Sequence, residues 1–506
     1  MRFLNFVRKK QEVFMMSVSS IPKSRMRRIT GQCMIILLIF ILLYQSAFSQ
    51  LPTANQVASQ MKVGWNLGNT LEAICGENAW GNPKTTQRLI DSVKAAGYDA
   101  VRLPCAWYCH SNRNTNEIDA GWIARVKEVV DYCINDSLYI ILNIHWDSGW
   151  LENHVTPADS AAVNARQHAY WSQIANYFKD YDEHLLFAGA NEPNVEDAAG
   201  MAVLMSYHQT FIDAVRATGG NNSSRILVIQ GPSTDIDKTN KLMNTLPQDT
   251  IEDHLMVEIH YYTPWQFCGL TEDATWGRMF YYWGKDYHSA TDRSRNATWG
   301  EEAELDRLLG LMKTKFVDKG VPIILGEYGA VKRTLTGDSD QELHLVSRLY
   351  FYRYFVESAV NKGIIPFNWD TGPYGNNTMG IFDRNTGSVV DQELLEAIMQ
   401  GAGKTSTTNI LDKTGLSLPN EIRLGQNYPN PFNPTTLIDY QLSTSAFVLL
   451  KVFDARGREV EILVNEHQNG GKHSVLFNAS SLQSGLYFYR LETDIGMDTR
   501  KLLLIK

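Results

Sequence analysis

From residue 62 to residue 370 the chain alternates between two hydrophobic patterns. Short continuous apolar runs occur at 62–69, 100–105, 139–145, 185–192, 225–231, 255–262, 321–329 and 363–370. Runs without polar alternation predict strands buried on both faces, as in parallel sheets. Between most of them the apolar residues recur at helical spacing. In 85–96, Leu89, Ile90, Val93 and Ala96 share one face and Gly97 supplies a stop. Similar patterns cover 122–134, 161–178, 201–217, 302–317 and 341–361, and the segment after the fifth run carries the weakest. Eight strand–helix units within about 340 residues predict an α/β fold of the closed (β/α)8 type, a TIM barrel. An open doubly wound sheet would place a glycine-rich phosphate turn after its first strand. Here that strand runs into Gly68-Asn69-Thr70-Leu71-Glu72.

Both ends of the chain follow other rules. Arg25, Arg27 and Arg28 precede an apolar run at 34–44 and then Gln45-Ser46-Ala47-Phe48-Ser49. This is the layout of a secretory signal peptide, expected over 1–49, with Met26 as an alternative start. The barrel is expected over 50–402 and a Thr/Ser/Gly-rich linker over 403–421. Strand-like runs at 436–442, 447–454, 460–464, 473–477, 486–492 and 499–505 then predict a small antiparallel sandwich over 422–506.

Composition sharpens this picture. The 506 residues carry a net charge of −8, but residues 1–49 hold eight Lys/Arg and one Asp/Glu. The rest therefore carries a net −15, which would repel phosphate backbones and argues against nucleic acid as a partner. Five cysteines follow the leader (Cys75, Cys105, Cys109, Cys133 and Cys268), so at least one is unpaired within the chain. Cys133 falls on an apolar helix face and reads as core. No Cys-x-x-Cys or His-Glu-x-x-His occurs, so neither a metal site nor a cofactor is expected.

The active site of such a barrel lies at the C-terminal ends of its strands. There the sequence places Asn66 and Asn69, Arg102, His145, Asn191 and Glu192, His260 and Tyr262, Glu327, and Trp369 with Asp370. Only the fifth strand offers nothing obvious. One polar residue there would be an ordinary satisfied core group, but seven ends together mark a site. Glu192 and Glu327, closing the fourth and seventh strands, would face each other across the mouth, as glycosidic hydrolysis requires. Arg102 would hold a carboxylate ionised, and Tyr262 could donate to the same group. His145 and His260 could bond sugar hydroxyls or the acid. The long segment 263–300 holds Trp265, Phe267, Trp276, Tyr281, Tyr282, Trp283, Tyr287 and Trp299. Some of these would wall a glycan cleft by stacking on sugar faces, and others would form a small core of their own.

These motifs resemble glycoside hydrolase family five of clan A. Ala190-Asn191-Glu192-Pro193 and Leu325-Gly326-Glu327-Tyr328-Gly329 are similar to its acid/base and nucleophile segments. Gly64-Trp65-Asn66-Leu67-Gly68-Asn69-Thr70, Ala79-Trp80-Gly81-Asn82-Pro83, Val101-Arg102-Leu103-Pro104, Asn143-Ile144-His145, Glu258-Ile259-His260-Tyr261-Tyr262 and Phe367-Asn368-Trp369 follow in the family's order. The resemblance implies Glu192 as acid/base, Glu327 as nucleophile and retention of configuration. It implies substrate-binding roles for Asn66, Arg102, His145, Trp146, Asn191, His260, Tyr262, Trp265 and Trp369. Within that set Arg102 and Tyr262 would orient Glu327, and His260 would lie near Glu192. Asn191 would bond the 2-hydroxyl, His145 would touch the cleaved sugar and Trp369 would stack on it. Trp146 departs from the pattern, standing where many members carry a second histidine. The first two of these shorter motifs look most like the endoglucanase branch that accepts cellulose, mixed-linkage glucan and often xyloglucan. The expected function is a secreted, monomeric, retaining endo-β-1,4-glucanase whose partner is β-glucan. Competing readings are a mannanase or xyloglucan-specific enzyme on the same barrel, or a non-catalytic glycan-binding surface protein. At the other end, Tyr428-Pro429-Asn430-Pro431-Phe432-Asn433-Pro434-Thr435 and Ser484-Gly485-Leu486-Tyr487-Phe488 resemble C-terminal sorting domains of type nine secretion. That likeness implies the secretion machinery as a second partner. A carbohydrate-binding module is the competitor, although the region has no Trp.

Overall fold

The computed structural model describes residues 51–404, 422–427, 429–442, 445–493 and 496–506. The expected signal peptide and most of the expected linker lie outside them. Eight parallel strands close into a barrel in sequence order: β1 Gly64–Leu67, β2 Ala100–Leu103, β3 Tyr139–Asn143, β4 Leu185–Ala188, β5 Leu227–Gln230, β6 Leu255–Tyr261, β7 Ile323–Tyr328 and β8 Ile364–Asp370. Closure is made by β1 against β8, with Gly64 opposite Phe367 and Asn66 opposite Trp369. A Cβ on Gly64 would lie 2.2 Å from the Phe367 ring, so glycine there lets the ring fill the barrel.

The helices in chain order are α1 Ala54–Ala58, α2 Gln87–Ala95, α3 Ala120–Asn135, α4 Ser160–Tyr177, α5 Ala198–Ala217, α6 Ile236–Leu242, α7 Trp265–Cys268, α8 Glu302–Lys315, α9 Asp338–Asn361 and α10 Gln392–Gly401. Side chains that accept the first free amides mark several starts, Thr86 for α2, Asp119 for α3 and Asp391 for α10. The short α6 is what the weak helical pattern after the fifth strand produces. Three helices, α1, α7 and α10, went unread in the sequence.

Strand alternation sorts the barrel interior into layers. Ala100, Ile141, Leu186, Val228, Met256, Ile324 and Ile365 pack with Ala54, Val57 and Met61 of the α1 region in one buried apolar cluster. Two residues further along the strands the same inward face becomes polar, with Asn66, Arg102, Asn143, Gln230 and Glu258 all fully buried. The barrel is thus apolar at its floor and ionic just below its mouth. Between β6 and β7 the register slips, Ile259 facing Leu325 but His260 facing Glu327. Gly326 is the extra residue of this bulge, which re-aims Glu327.

The C-terminal region forms two antiparallel sheets. One contains β9 Ile422–Leu424, β10 Thr435–Leu442 and β13 Gly471–Asn478. The other contains β11 Ala446–Asp454, β12 Glu459–Gln468, β14 Gly485–Thr493 and β15 Gly496–Leu504. They enclose their own core, including Ile438, Val448, Leu450, Phe477, Tyr489 and Leu502. The expected sandwich is present, with one strand more (β9) than the pattern revealed. Tyr489 is fully buried, donating to Gly425 O at 2.6 Å.

Candidate active site

Arg102 is the hub of the polar layer. Its Nη1 donates to Asn66 Oδ1 and to Glu327 Oε1, both at 3.0 Å, and its Nη2 donates to Asn191 Oδ1 at 2.6 Å. Its Nε pairs with Glu258 Oε1 at 2.8 Å, and neither of those side chains has any exposure. Arg102 thus touches Glu327, the group it was expected to orient, and burial bears on the place of two residues. Asn66 does not reach the cleft: it is fully buried, and its Nδ2 donates to the carbonyl of Gly326 at 2.8 Å and to those of Phe367 and Asn368 at 3.2 Å. Its place inside β1 makes it a brace between the β7 bulge and Arg102. Arg102, equally buried, touches carboxylates and amides rather than open cleft.

Glu327 lies at the end of β7 and is nearly buried. Besides Arg102 it accepts the Tyr262 hydroxyl at 3.1 Å. Glu192, just beyond β4, leaves 43% of its side chain exposed, and its Oε1 lies 2.7 Å from His260 Nδ1. His260 Nε2 lies 3.3 Å from Glu258 Oε1. Both ring nitrogens therefore face carboxylate oxygens, which only the imidazolium form satisfies with two donors. Burial alone would lower the His260 pKa, but Glu327, Glu192 and Glu258 outweigh it and push it up to about 10. Burial raises both Glu192 and Glu327. At Glu192 the hydrogen bond and charge of His260 prevail and draw it below the ordinary range, while at Glu327 burial prevails over His260 and Arg102. Ligand atoms of Glu192, His260 and Glu327 all lie within 4.8 Å of one another. The ends of three different strands deliver this trio, as their places in the sequence implied.

The remaining residues line the mouth. His145 and Trp369 stack with ring centroids 5.8 Å apart and planes 18° apart. Burial, with Arg102 and His260 nearby, holds the His145 imidazole neutral, well below its ordinary pKa. Trp265 meets Tyr262 edge-on at 6.0 Å. Trp146, Trp265, Trp276 and Trp299 are exposed, whereas Phe267, Tyr282, Trp283 and Tyr287 are buried. The aromatic segment is thus partly exposed and partly buried, and Phe267 and Trp283 join the main core of the barrel rather than a small core of their own. Cys75 and Cys109 form a disulfide between the loops after β1 and β2, while Cys105, Cys133 and Cys268 are free and buried.

Three contributors escaped the sequence reading. Glu258 lies two residues before His260 on β6, and strand periodicity alone would have put both on one face. Gln230, from the fifth strand, donates to Glu258 Oε2 at 2.6 Å and accepts the Ala190 amide at 2.9 Å. Glu152 accepts the backbone amide of Glu192 at 2.7 Å, and burial pushes its pKa up to about 8. Nothing in the sequence around Glu152 signals this contact, which a loop creates.

Residues 58–375 match the family model "Cellulase (glycosyl hydrolase family 5)", and residues 426–506 match "Secretion system C-terminal sorting domain". A xyloglucan-specific endo-beta-1,4-glucanase of Bacteroides ovatus is 37% identical over 372 residues, covering 69% of this chain and 70% of that protein. Endoglucanase A of Ruminococcus albus is 36% identical over 369 residues, covering 69% of this chain and 93% of its own length. Among solved structures, a xyloglucan-specific beta-1,4-glucanase from a ruminal metagenomic library is 44% identical with a TM-score of 0.64. The match to it covers 70% of this chain and 97% of that one.

Proposed function

The chain belongs to glycosyl hydrolase family 5, and from that premise we propose that it is an exported, retaining endo-β-1,4-glucanase. Glu327 is the nucleophile and Glu192 the acid/base. The observation that carries this reading is the separation of the two carboxyls. One oxygen of each lies within 4.8 Å of one oxygen of the other, too close for the inverting class at about 6.5–9.5 Å and on the side of the retaining class at about 5–5.5 Å.

The geometry then performs a double displacement. Arg102 and Tyr262 each donate to Glu327, one to each oxygen, and aim it at the anomeric carbon. The two catalytic carboxyls lie close enough to repel each other, and the reaction needs them to hold one proton between them. As positive charge develops on the sugar beside Glu327, the anion is favoured there and the proton is favoured on Glu192. Glu192 delivers it to the leaving oxygen while Glu327 forms the glycosyl–enzyme bond. Glu192 then takes a proton from water, which attacks the same face that the leaving group vacated. Arg102 occupies Asn191 Oδ1, which leaves the Asn191 amide NH2 as a donor for the 2-hydroxyl. Trp369 and His145 form the platform of the cleaved sugar, and Trp146 and Trp265 extend it.

Two relatives named for xyloglucan make that branched β-1,4-glucan the first substrate to test. Hydrolysis of xyloglucan, barley glucan, carboxymethylcellulose, xylan and mannan side by side decides the matter. Cleavage of the β-glucans is the expected result. Activity on mannan alone would transfer the enzyme to a mannanase role, and binding of glucan without cleavage would make it a non-catalytic glycan-binding protein. The C-terminal sorting domain supports export by the secretion machinery, and the basic–apolar leader fits passage through the inner membrane.

A further inference from the structure

Beneath the catalytic pair lies a third carboxylate that the double displacement does not use. Glu258 projects from β6 into the polar layer with no exposure. Its Oε1 lies 2.8 Å from Arg102 Nε and 3.3 Å from His260 Nε2, and its Oε2 accepts from Gln230 at 2.6 Å. The backbone has made room for it, since a Cβ on Gly326 would lie 1.9 Å from Glu258 Oε1. The bulge residue that turns Glu327 toward the cleft is thus also the one whose missing side chain admits Glu258.

The charges explain why the carboxylate is needed. A buried site tolerates little net charge. Arg102 and an imidazolium at His260 contribute two positive charges, and the catalytic pair contributes one negative when it holds the single proton that the reaction needs. Without Glu258 one positive charge is left over, and the least costly relief is loss of the His260 proton. A neutral imidazole carries one N–H and could not donate to both Glu192 and Glu258. With Glu258 ionised the cluster is neutral and both donors are kept. Gln230 strengthens the arrangement by accepting the amide of Ala190, two residues before Glu192.

We propose that Glu258 is a positioning residue, a buried carboxylate that keeps His260 in its imidazolium form so that the ring anchors Glu192 opposite Glu327. The proposal rests on the reading of Glu192 and Glu327 as the catalytic pair. The groups that act on His260 are Glu258 on its own strand, Glu327 on β7, Glu192 beyond β4, Arg102 on β2, His145 after β3 and Glu152 in the following loop. Of these, Glu327, Glu192 and Glu258 raise its pKa, and burial holds Glu258 up less than Arg102, His260 and Gln230 hold it down.

The test reads His260 directly, by histidine-selective ring-nitrogen NMR of the intact protein between pH 5 and about 10. In the wild type His260 should remain doubly protonated at pH 8, and a neutral ring there would overturn the proposal without recourse to any variant. In Glu258→Gln, which keeps the volume, the His260 pKa should fall by roughly two units or more, so that the ring is neutral at pH 8. The acidic limb of kcat/KM should move to lower pH, because Glu327 loses a repelling neighbour while Arg102 and His260 are still charged. Glu258→Asp, which restores the charge, should recover a large part of both shifts. A folded Glu258→Gln enzyme with an unmoved His260 and an unmoved acidic limb would show that Glu258 only fills space. Because the NMR signal does not depend on turnover, this failure is distinct from a failure of the catalytic assignment.

Discussion

At the scale of single residues, the site is a set of donors aimed at two carboxyls. Tyr262 donates to Glu327 Oε2 at 3.1 Å, and this bond favours the ionised nucleophile. Burial is the main force lifting Glu327, so losing a donor lifts it further. Tyr262→Phe should therefore move the acidic limb of kcat/KM to higher pH by about one unit and lower the maximum tenfold or more, given about 1.5–3 kcal/mol for a hydrogen bond to a charged group. A pH–rate profile on a soluble glucan checks it; an unmoved limb would show that the hydroxyl plays no part in holding the charge. Asn66 teaches the limits of residue-type reasoning. Polar residues at barrel strand ends read as contacts to substrate, yet an inward position one residue before the end of a four-residue strand is still inside the wall. Nothing in its own neighbourhood distinguishes a brace from a ligand-binding amide.

At the scale of elements, the β7 bulge governs where Glu327 points. Gly326→Ala would drive a methyl into Glu258 Oε1 and push the Glu327 segment out of register. A shift of about 1 Å at a nucleophile costs on the order of a hundredfold in rate, and the expected result is a loss of that size in kcat/KM with KM little changed. Separately, the Cys75–Cys109 disulfide closes a loop with a sequence separation of 34. Cys109→Ala should lower stability by about 3 kcal/mol in urea unfolding under oxidising conditions while leaving hydrolysis at 25 °C nearly intact. The eight strands were legible because parallel strands buried on both sides leave continuous apolar runs. Six long helices were legible from their amphipathic spacing. The last helix, α10, carried a readable signal in Asp391 followed by Leu394, Leu395 and Ile398. Strand β9 has three residues, too few for any pattern. Glu258 was hidden because a charged residue inside an apolar run looks like an interruption until the strand's alternation is imposed on it. Gln230 and Glu152 act only through contacts made by distant elements, which no local pattern contains.

At the scale of the whole molecule, the barrel holds every residue of the proposed site, and the sandwich encloses a separate core. A chain ending after Gly403 should therefore hydrolyse soluble and insoluble glucan at nearly the full rate, and in its native host it should fail to leave the periplasm. A selective loss on insoluble cellulose would instead make the C-terminal region a glycan-binding module. Exported protein should begin near Gln50, as N-terminal sequencing would show; an intact 34–44 segment would indicate a membrane anchor. The central claim, that Glu192 and Glu327 divide acid/base and nucleophilic work, is tested most directly by the anomer formed when azide rescues each alanine variant on an activated aryl β-glycoside. Glu192→Ala should still form the glycosyl–enzyme and yield β-glycosyl azide, since azide needs no general base. Glu327→Ala cannot form that intermediate and should yield α-glycosyl azide from the vacated side. An α product from Glu192→Ala, or near-normal turnover by Glu327→Ala without azide, would contradict the account.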